Sequence, residues 1–570
     1  QRCTPHGSTA ANNQGGVLYR QRKMGSIDAE PETAKADAKS SGSKVTRDPE
    51  VVEFNASNDI PVVDDATLRG KLSNGMEYYV RPNRHPRERA ELRIVIKVGS
   101  VMETEEERGV AHLIEHLAFR ASRTCPQEFD LVKELESHGI KFGAHQNAYT
   151  SFEETVYELH VPADQPVLLE RSLRVLRQLA LEVRLSDDDV ERERSIVVEE
   201  WRQGRGCAQR ATEDFFKLVV KGSLFEERLP IGLMSVIKTV PPETVRAFYA
   251  RHYHPERMAV IAVGDFADGG HGVVELVRGI FEGCPRGDSD EPSPVGVPSH
   301  HDVRAAVFAD SEATSSSMVL EVKQPALPLK TQDDYRREVT EDLFHACLNA
   351  RLSKTAMRDR PPFLTASSST PVTVAALSTV QLMVTALDGG LPRAMRAVLT
   401  EVHRIKIHGF SDREVSIAKK NHLAEVRGEW VARDQTDSNN LCGDYVEQFL
   451  RGSPAPGIEW EAGVLAPLLE TVATEDVNQV SERYSWGRNT VVFATCPTPG
   501  RAARLQSWLS ETLPRSLSSA AAAAVDASPF RDGSLLASTF PFLVAGGKRG
   551  IRFDDHGSGR PLRNGGGGGG

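Results

Sequence analysis

The feature that most constrains this chain is the stretch Gly109-Val110-Ala111-His112-Leu113-Ile114-Glu115-His116-Leu117-Ala118-Phe119, an apolar run with two histidines and a glutamate set into it. No glycine or proline after Gly109 interrupts a helix there. On a helix, His112 and His116 stand about 40° apart around the axis and about 6 Å apart along it. Glu115 shares their side, because residues three and four apart are neighbours on one face. Two imidazoles so placed can hold one metal ion, and the carboxylate beside them can take a proton from a metal-activated water. A catalytic zinc normally takes three protein ligands, so a third donor has to come from elsewhere in the chain.

The candidate lies in Ser186-Asp187-Asp188-Asp189-Val190-Glu191-Arg192-Glu193-Arg194-Ser195-Ile196-Val197-Val198-Glu199-Glu200-Trp201. Ser186 followed by three aspartates is a helix start, with acids at the positive end of the dipole. The buried face is expected to carry Val190, Ile196 or Val197, Val198 and Trp201. Glu193, three after Val190 and four before Val197, falls on that face, and so does Glu200, seven further on. A carboxylate on a buried stripe is costly unless it is paired or bound to metal. Glu193 therefore needs a partner, whereas Glu191, Arg192 and Arg194 read as a solvated face.

His-x-x-Glu-His is the reverse of the commoner His-Glu-x-x-His zinc signature. With Glu193 at 193 − 116 = 77 residues beyond His116, the pattern resembles the pitrilysin, insulin-degrading enzyme and mitochondrial processing peptidase family. Further matches are Gly99-Ser100, Asn147-Ala148-Tyr149-Thr150-Ser151, Tyr249, Tyr253 and Gly264-Asp265. Leu72-Ser73-Asn74-Gly75, Tyr78-Tyr79-Val80 and Leu229-Pro230-Ile231-Gly232 are similar to the plant and bacterial zinc-protease branch. The resemblance covers roughly residues 65–515.

The resemblance implies an α+β fold of two consecutive α/β-sandwich domains of similar plan, the N-terminal catalytic half of a chamber. It implies one Zn²⁺ per chain on His112, His116 and Glu193, with Glu115 as the general base. Asn147 and Ala148 become substrate-binding residues on an edge strand, where a peptide adds main chain to main chain. Glu200 is either an outer residue that orients a ligand or a helix-face acid paired with an arginine. His138, His145 and His160 rank below these as ligands. The activity implied is that of a zinc metalloendopeptidase acting on short or unfolded peptides, and the alternative is a non-catalytic chamber or interaction subunit of a processing-peptidase-like complex. The implied partner is a complementary chamber half, from a second copy, another chain or a longer form. The arginine and tyrosine that the family's opposing half supplies have no match in residues 300–570.

Composition sets the outer bounds. Net charge −10 gives no footprint for nucleic acid, and no apolar run reaches the ~18 residues of a membrane span. The seven cysteines are scattered and never in Cys-x-x-Cys spacing, which fits free thiols in a reducing compartment. The compartment stays open between the cytosol and an organelle interior, plastid or mitochondrion. By pattern, residues 1–64 are a disordered lead-in, 65–285 the zinc-binding domain and 286–301 a linker. Residues 302–515 form a second, metal-free domain, and 516–570 a low-complexity tail.

Overall fold

Alternating apolar residues build one sheet in each half of the chain. The computed structural model describes residues 48–125, 130–141, 143–204, 206–287 and 294–513. The first half supplies β1 (Leu68–Lys71), β2 (Glu77–Pro82), β3 (Arg89–Ile96), β4 (Gln146–Thr150), β5 (Thr155–Pro162) and β6 (Met258–Gly264). Its helices are α1 (Val110–Arg120), α2 (Asp130–Ser137), α3 (Pro166–Leu181), α4 (Asp187–Gln203) and α5 (Cys207–Val220). The short α6 (Leu224–Glu227) and α7 (Met234–Ile237) lead to α8 (Pro242–His252) and α9 (His271–Phe281).

The strands lie in the order β1-β2-β6-β3-β5-β4, with β2 parallel to β6 and the other pairs antiparallel. Successive side chains point to opposite faces, so each strand serves two cores. Leu92, Ile94 and Ile96 of β3 and Tyr157, Leu159 and Val161 of β5 join Leu113 and Leu117 of α1 and Leu173 and Leu176 of α3. Val95 and Val156 point the other way.

The second half repeats the plan. It comprises β7 (Arg304–Ala309), β8 (Ser316–Pro325), β9 (Thr365–Ser369), β10 (Val372–Val374), β11 (Leu377–Ala386) and β12 (Thr490–Cys496). Its helices are α10 (Gln332–Ala356), α11 (Leu391–His408), α12 (Asp412–Val431), α13 (Ser438–Arg451), α14 (Gly457–Thr471), α15 (Thr474–Gln479) and α16 (Pro499–Ser507). The order β7-β12-β8-β11-β10 mirrors β2-β6-β3-β5-β4: the last strand inserts parallel to β2 in the first sheet and to β7 in the second. The expectation of two α/β domains of one plan therefore holds.

The two domains cover each other's sheets. Tyr445, Val446 and Phe449 of α13 pack on Tyr79, Val95 and Ile261 of the first sheet. In return, α5 places Val219 and Val220 against Leu377 and Val491 of the second, and Phe215 meets Phe493 with ring centroids 5.4 Å apart. Buried side chains such as Val446 and Phe449 contribute about 1.5–3 kcal/mol each, so the exchange ties the domains together.

One domain boundary changes. The lead-in was placed at 1–64, yet residues 48–64 run along the second domain. Val52 and Phe54 pack on its core, Ile60 is buried, and Val52 N–H donates to Gly463 O at 3.1 Å. Glycine in α14 permits that approach, since a Cβ at Gly463 would lie 2.4 Å from Glu50 O. Between α12 and α13 the chain turns, and Asp437 caps α13 by accepting from Asn439 N–H. The rest of the lead-in, 288–293 of the linker and the tail from 516 lie outside the described residues.

Candidate metal centre

Helix α1 is buried on almost every side, with His112 and Glu115 inside and His116 half-buried. Helix α4 packs across it. Ser186 caps α4 by accepting from Asp189 N–H at 3.2 Å, and Val190, Glu193 and Val197 face inward while Ile196 stays exposed. Both candidate carboxylates thus meet the histidine pair, but at different atoms.

Glu200 Oε2 lies 3.1 Å from His116 Nε2 and 3.7 Å from His112 Nε2. His112, His116 and Glu200 are the one group among the described residues whose ligand atoms lie within 4.8 Å of one another in a metal-competent set. Glu193 meets the opposite side of the ring, its Oε1 3.1 Å from His116 Nδ1. Glu193 Oε2 accepts from Arg120 Nη1 at 3.4 Å, and Arg120 Nε donates to Asp189 Oδ1 at 3.1 Å. Arg184 Nε holds the other oxygen of Asp189 at 2.7 Å. The resemblance puts Glu193 on the ion and Glu200 outside it; in the structure Glu200 lies against the two Nε2 atoms and Glu193 against Nδ1 of His116. Seven residues span about 10 Å along a helix, and the crossing of α4 over α1 brings its C-terminal half level with the two Nε2 atoms. His145 and His160 stack on each other at 5.6 Å and take no part in the group.

Charge and burial oppose each other here. Burial, then the neighbouring His116, push His112 down to about 4. Burial also works to lower His116, but Glu193 and Glu200 outweigh it and hold the ring up to about 10. Burial tends to raise Glu200, yet the two imidazoles bring it down to about 2. Burial raises Glu115 to about 7, against the pull of His116 and Thr150. His112 is poorly satisfied: its Nδ1 is buried without a hydrogen-bond partner and its Nε2 has only the 3.7 Å contact. Burying Nε2 with only that contact carries a cost, which a cation held by the two Nε2 atoms and Glu200 would offset, while Nδ1 would keep no partner. Two imidazole nitrogens and one carboxylate are a donor set that suits zinc.

Strand β4 ends the sheet beside this group and, among the described residues, pairs with β5 alone. Thr150 Oγ1 donates to Glu115 Oε2 at 2.7 Å. Ala148, two residues earlier and so on the same face, packs on the core next to α1, and Asn147 points to the other face. The sequence reading did not single out Thr150, Arg120 or Asp189. The available signals were the period-two step from Ala148 to Thr150 and the i+4 step from His116 to Arg120.

Residues 78–217 match the family described as "Insulinase (Peptidase family M16)", and residues 239–421 match "Peptidase M16 inactive domain". The chain belongs to peptidase family M16. Among similar proteins, "Zinc protease PQQL-like" of Arabidopsis thaliana is 41% identical over 417 residues, 73% of this M16 chain and 40% of that protein. "Probable zinc protease PqqL" of Escherichia coli is 26% identical over 392 residues, 69% of this chain and 42% of that one. The chain thus spans about 40% of the length of these curated relatives. The fold is like that of the first half of the periplasmic protease PqqL from Escherichia coli, with a TM-score of 0.76 at 22% identity, covering 82% of this chain and 99% of that one. No helix among the described residues is long and apolar enough to cross a membrane.

Proposed function

We propose that this M16 chain is the metal-binding half of a zinc metalloendopeptidase that hydrolyses short or unfolded peptides. The observation that carries the reading is the convergence of His112 Nε2, His116 Nε2 and Glu200 Oε2 beside Glu115, which is itself bonded to the open edge strand. In this reading His112, His116 and Glu200 hold one zinc ion, and Glu193 fixes the ring of His116 through Nδ1. Zinc bound there supplies Lewis-acid polarisation of a carbonyl and lowers the pKa of water from ~15.7 towards about 7. Glu115 takes the proton of the attacking water and passes it to the leaving amine. Burial favours its protonated form in the metal-free chain, and a group that both takes and gives a proton works best with a pKa near the operating pH.

The peptide lies along β4 as an added strand, at Asn147 and Ala148. Ala148 is small enough for a second backbone to approach, and main-chain pairing tolerates many side chains. Pairing of that kind requires an extended substrate, hence short or unfolded peptides. A span of about 40% of the relatives' length supports a further requirement, a complementary half that closes the chamber. The non-catalytic alternative is disfavoured by the intact His112, Glu115, His116 and Glu200.

Elemental analysis beside cleavage of a quenched peptide tests the reading. One zinc per chain and chelator-sensitive cleavage are expected. A stoichiometry near zero after zinc reconstitution overturns it.

A further inference from the structure

The segment Leu229-Pro230-Ile231-Gly232 and the acidic loop before α1 have no part in the chemistry above, yet they meet at the start of the metal-binding helix. Helix α1 begins without a side-chain cap, because its N-cap is Gly109 in the left-handed conformation (φ 103°). The first N–H groups of a helix have no intrahelical acceptor. Here two of them are taken by one buried carboxylate: Gly109 N–H donates to Glu103 Oε2 and Ala111 N–H to Glu103 Oε1, both at 2.9 Å. Ala111 directly precedes His112.

Glu103 is itself held. Arg228 Nε donates to its carbonyl oxygen at 2.8 Å, and Arg228 O accepts from Ser100 Oγ at 2.6 Å. Leu233 N–H donates to Arg108 O at 3.2 Å. Gly232 packs so tightly that a Cβ on it would lie 2.3 Å from Gly109 Cα. On the other side, Arg251 of α8 holds both oxygens of Glu107 at 2.7 and 2.9 Å. The loop from 99 to 109 is therefore fixed at both flanks, and Glu103 is the side chain that transmits its position to α1.

We propose that Glu103 is a positioning residue: it fixes the first turn of α1, and through that turn the placement of His112 and His116 for the metal. The metal part of this inference rests on the proposed function. The substitution that separates the roles is Glu103→Gln, which keeps the shape but replaces one of two acceptors by an NH₂ group facing an N–H.

Hydrogen exchange of the metal-free chain is the first measurement. Loss of one of the two bonds is expected to speed exchange in the first turn of α1 on the order of 10-fold, with the second domain unchanged. The second is zinc affinity by chelator competition, with the visible spectrum of the cobalt(II)-substituted chain. Affinity is expected to fall on the order of 10-fold, and the cobalt bands to change. Glu106→Gln, at an exposed position in the same loop, is expected to leave both readouts at parent values. Should Glu103→Gln not fold, Glu103→Asp, which draws the oxygens back by one methylene, is read in the same way. Parent-like exchange and parent-like affinity in the Glu103 variant overturn the inference. A parent chain that takes up no zinc overturns the proposed function and the metal arm together, while the exchange experiment still decides whether Glu103 holds α1.

Discussion

Glu193 and Glu200 stand on one face of α4, and the structure gives them different partners, so their amide variants should separate. Glu200→Gln removes the carboxylate that lies 3.1 and 3.7 Å from the two Nε2 atoms. A neutral amide is a poor replacement for a carboxylate ligand, and zinc is expected to be lost at micromolar free metal. Glu193→Gln leaves all three donors in place and weakens the hold on His116 Nδ1, 3.1 Å away, together with the 3.4 Å contact to Arg120. Outer partners of this kind typically account for 10–100-fold in metal affinity, which is about 1.4–2.8 kcal/mol. Arg120 keeps Asp189 at 3.1 Å in that variant, so its charge is not left unpaired and the chain should still fold. Isothermal titration against a series of chelators, with far-UV circular dichroism as the folding control, measures both affinities. If Glu193→Gln loses zinc as completely as Glu200→Gln, or more so, the assignment of roles from the 4.8 Å donor cluster is wrong.

Glu115→Gln is expected to bind zinc normally and to lose hydrolysis by about 10²–10⁴-fold, the usual contribution of an acid–base group; equal loss of metal would contradict the role given to it. His345 of α10 offers a test in the second domain: both ring nitrogens bond hydroxyls at 2.8 Å, those of Ser368 and Thr370, and burial, then Arg483, push it down to about 3. Since an unfolded histidine titrates near 6.5, the unfolded chain binds one more proton between the two values. Stability should therefore be fully present above about pH 6.5 and fall as pH drops towards about 3, at up to about 1.4 kcal/mol per pH unit from this group. Urea titrations of His345→Gln between roughly pH 4.5 and 7.5 should show a shallower slope than the parent, and an identical slope would refute the sealed-histidine account. Peptide cleavage by this chain is expected to rise when a complementary half is supplied, as read by light scattering beside the peptidase assay, because an open site stabilises developing charge less well. Full activity from a clean monomer would remove the need for a closed chamber.

Much of the site was legible in the sequence because it obeys local rules. The 3.6-residue turn alone puts His112, Glu115 and His116 together, and the same rule selects the inward face of α4 that carries Glu193 and Glu200. Ser186 and the aspartates after it mark where that helix starts, as found. Alternation along β3 and β5 places Leu92, Ile94, Tyr157 and Leu159 in one core. Contacts set by long-range packing were not legible. The strap from residue 48 depends on a glycine in α14, more than 400 residues away, and the exchange of α5 and α13 between sheets leaves no mark in either helix's own pattern. The choice between Glu193 and Glu200 is of the same kind. Helical periodicity is blind to a shift of seven residues, which returns a side chain to nearly the same face about 10 Å along the axis. Only the angle and height at which α4 crosses α1 decide that Glu200 meets the two Nε2 atoms while Glu193 meets Nδ1 of His116.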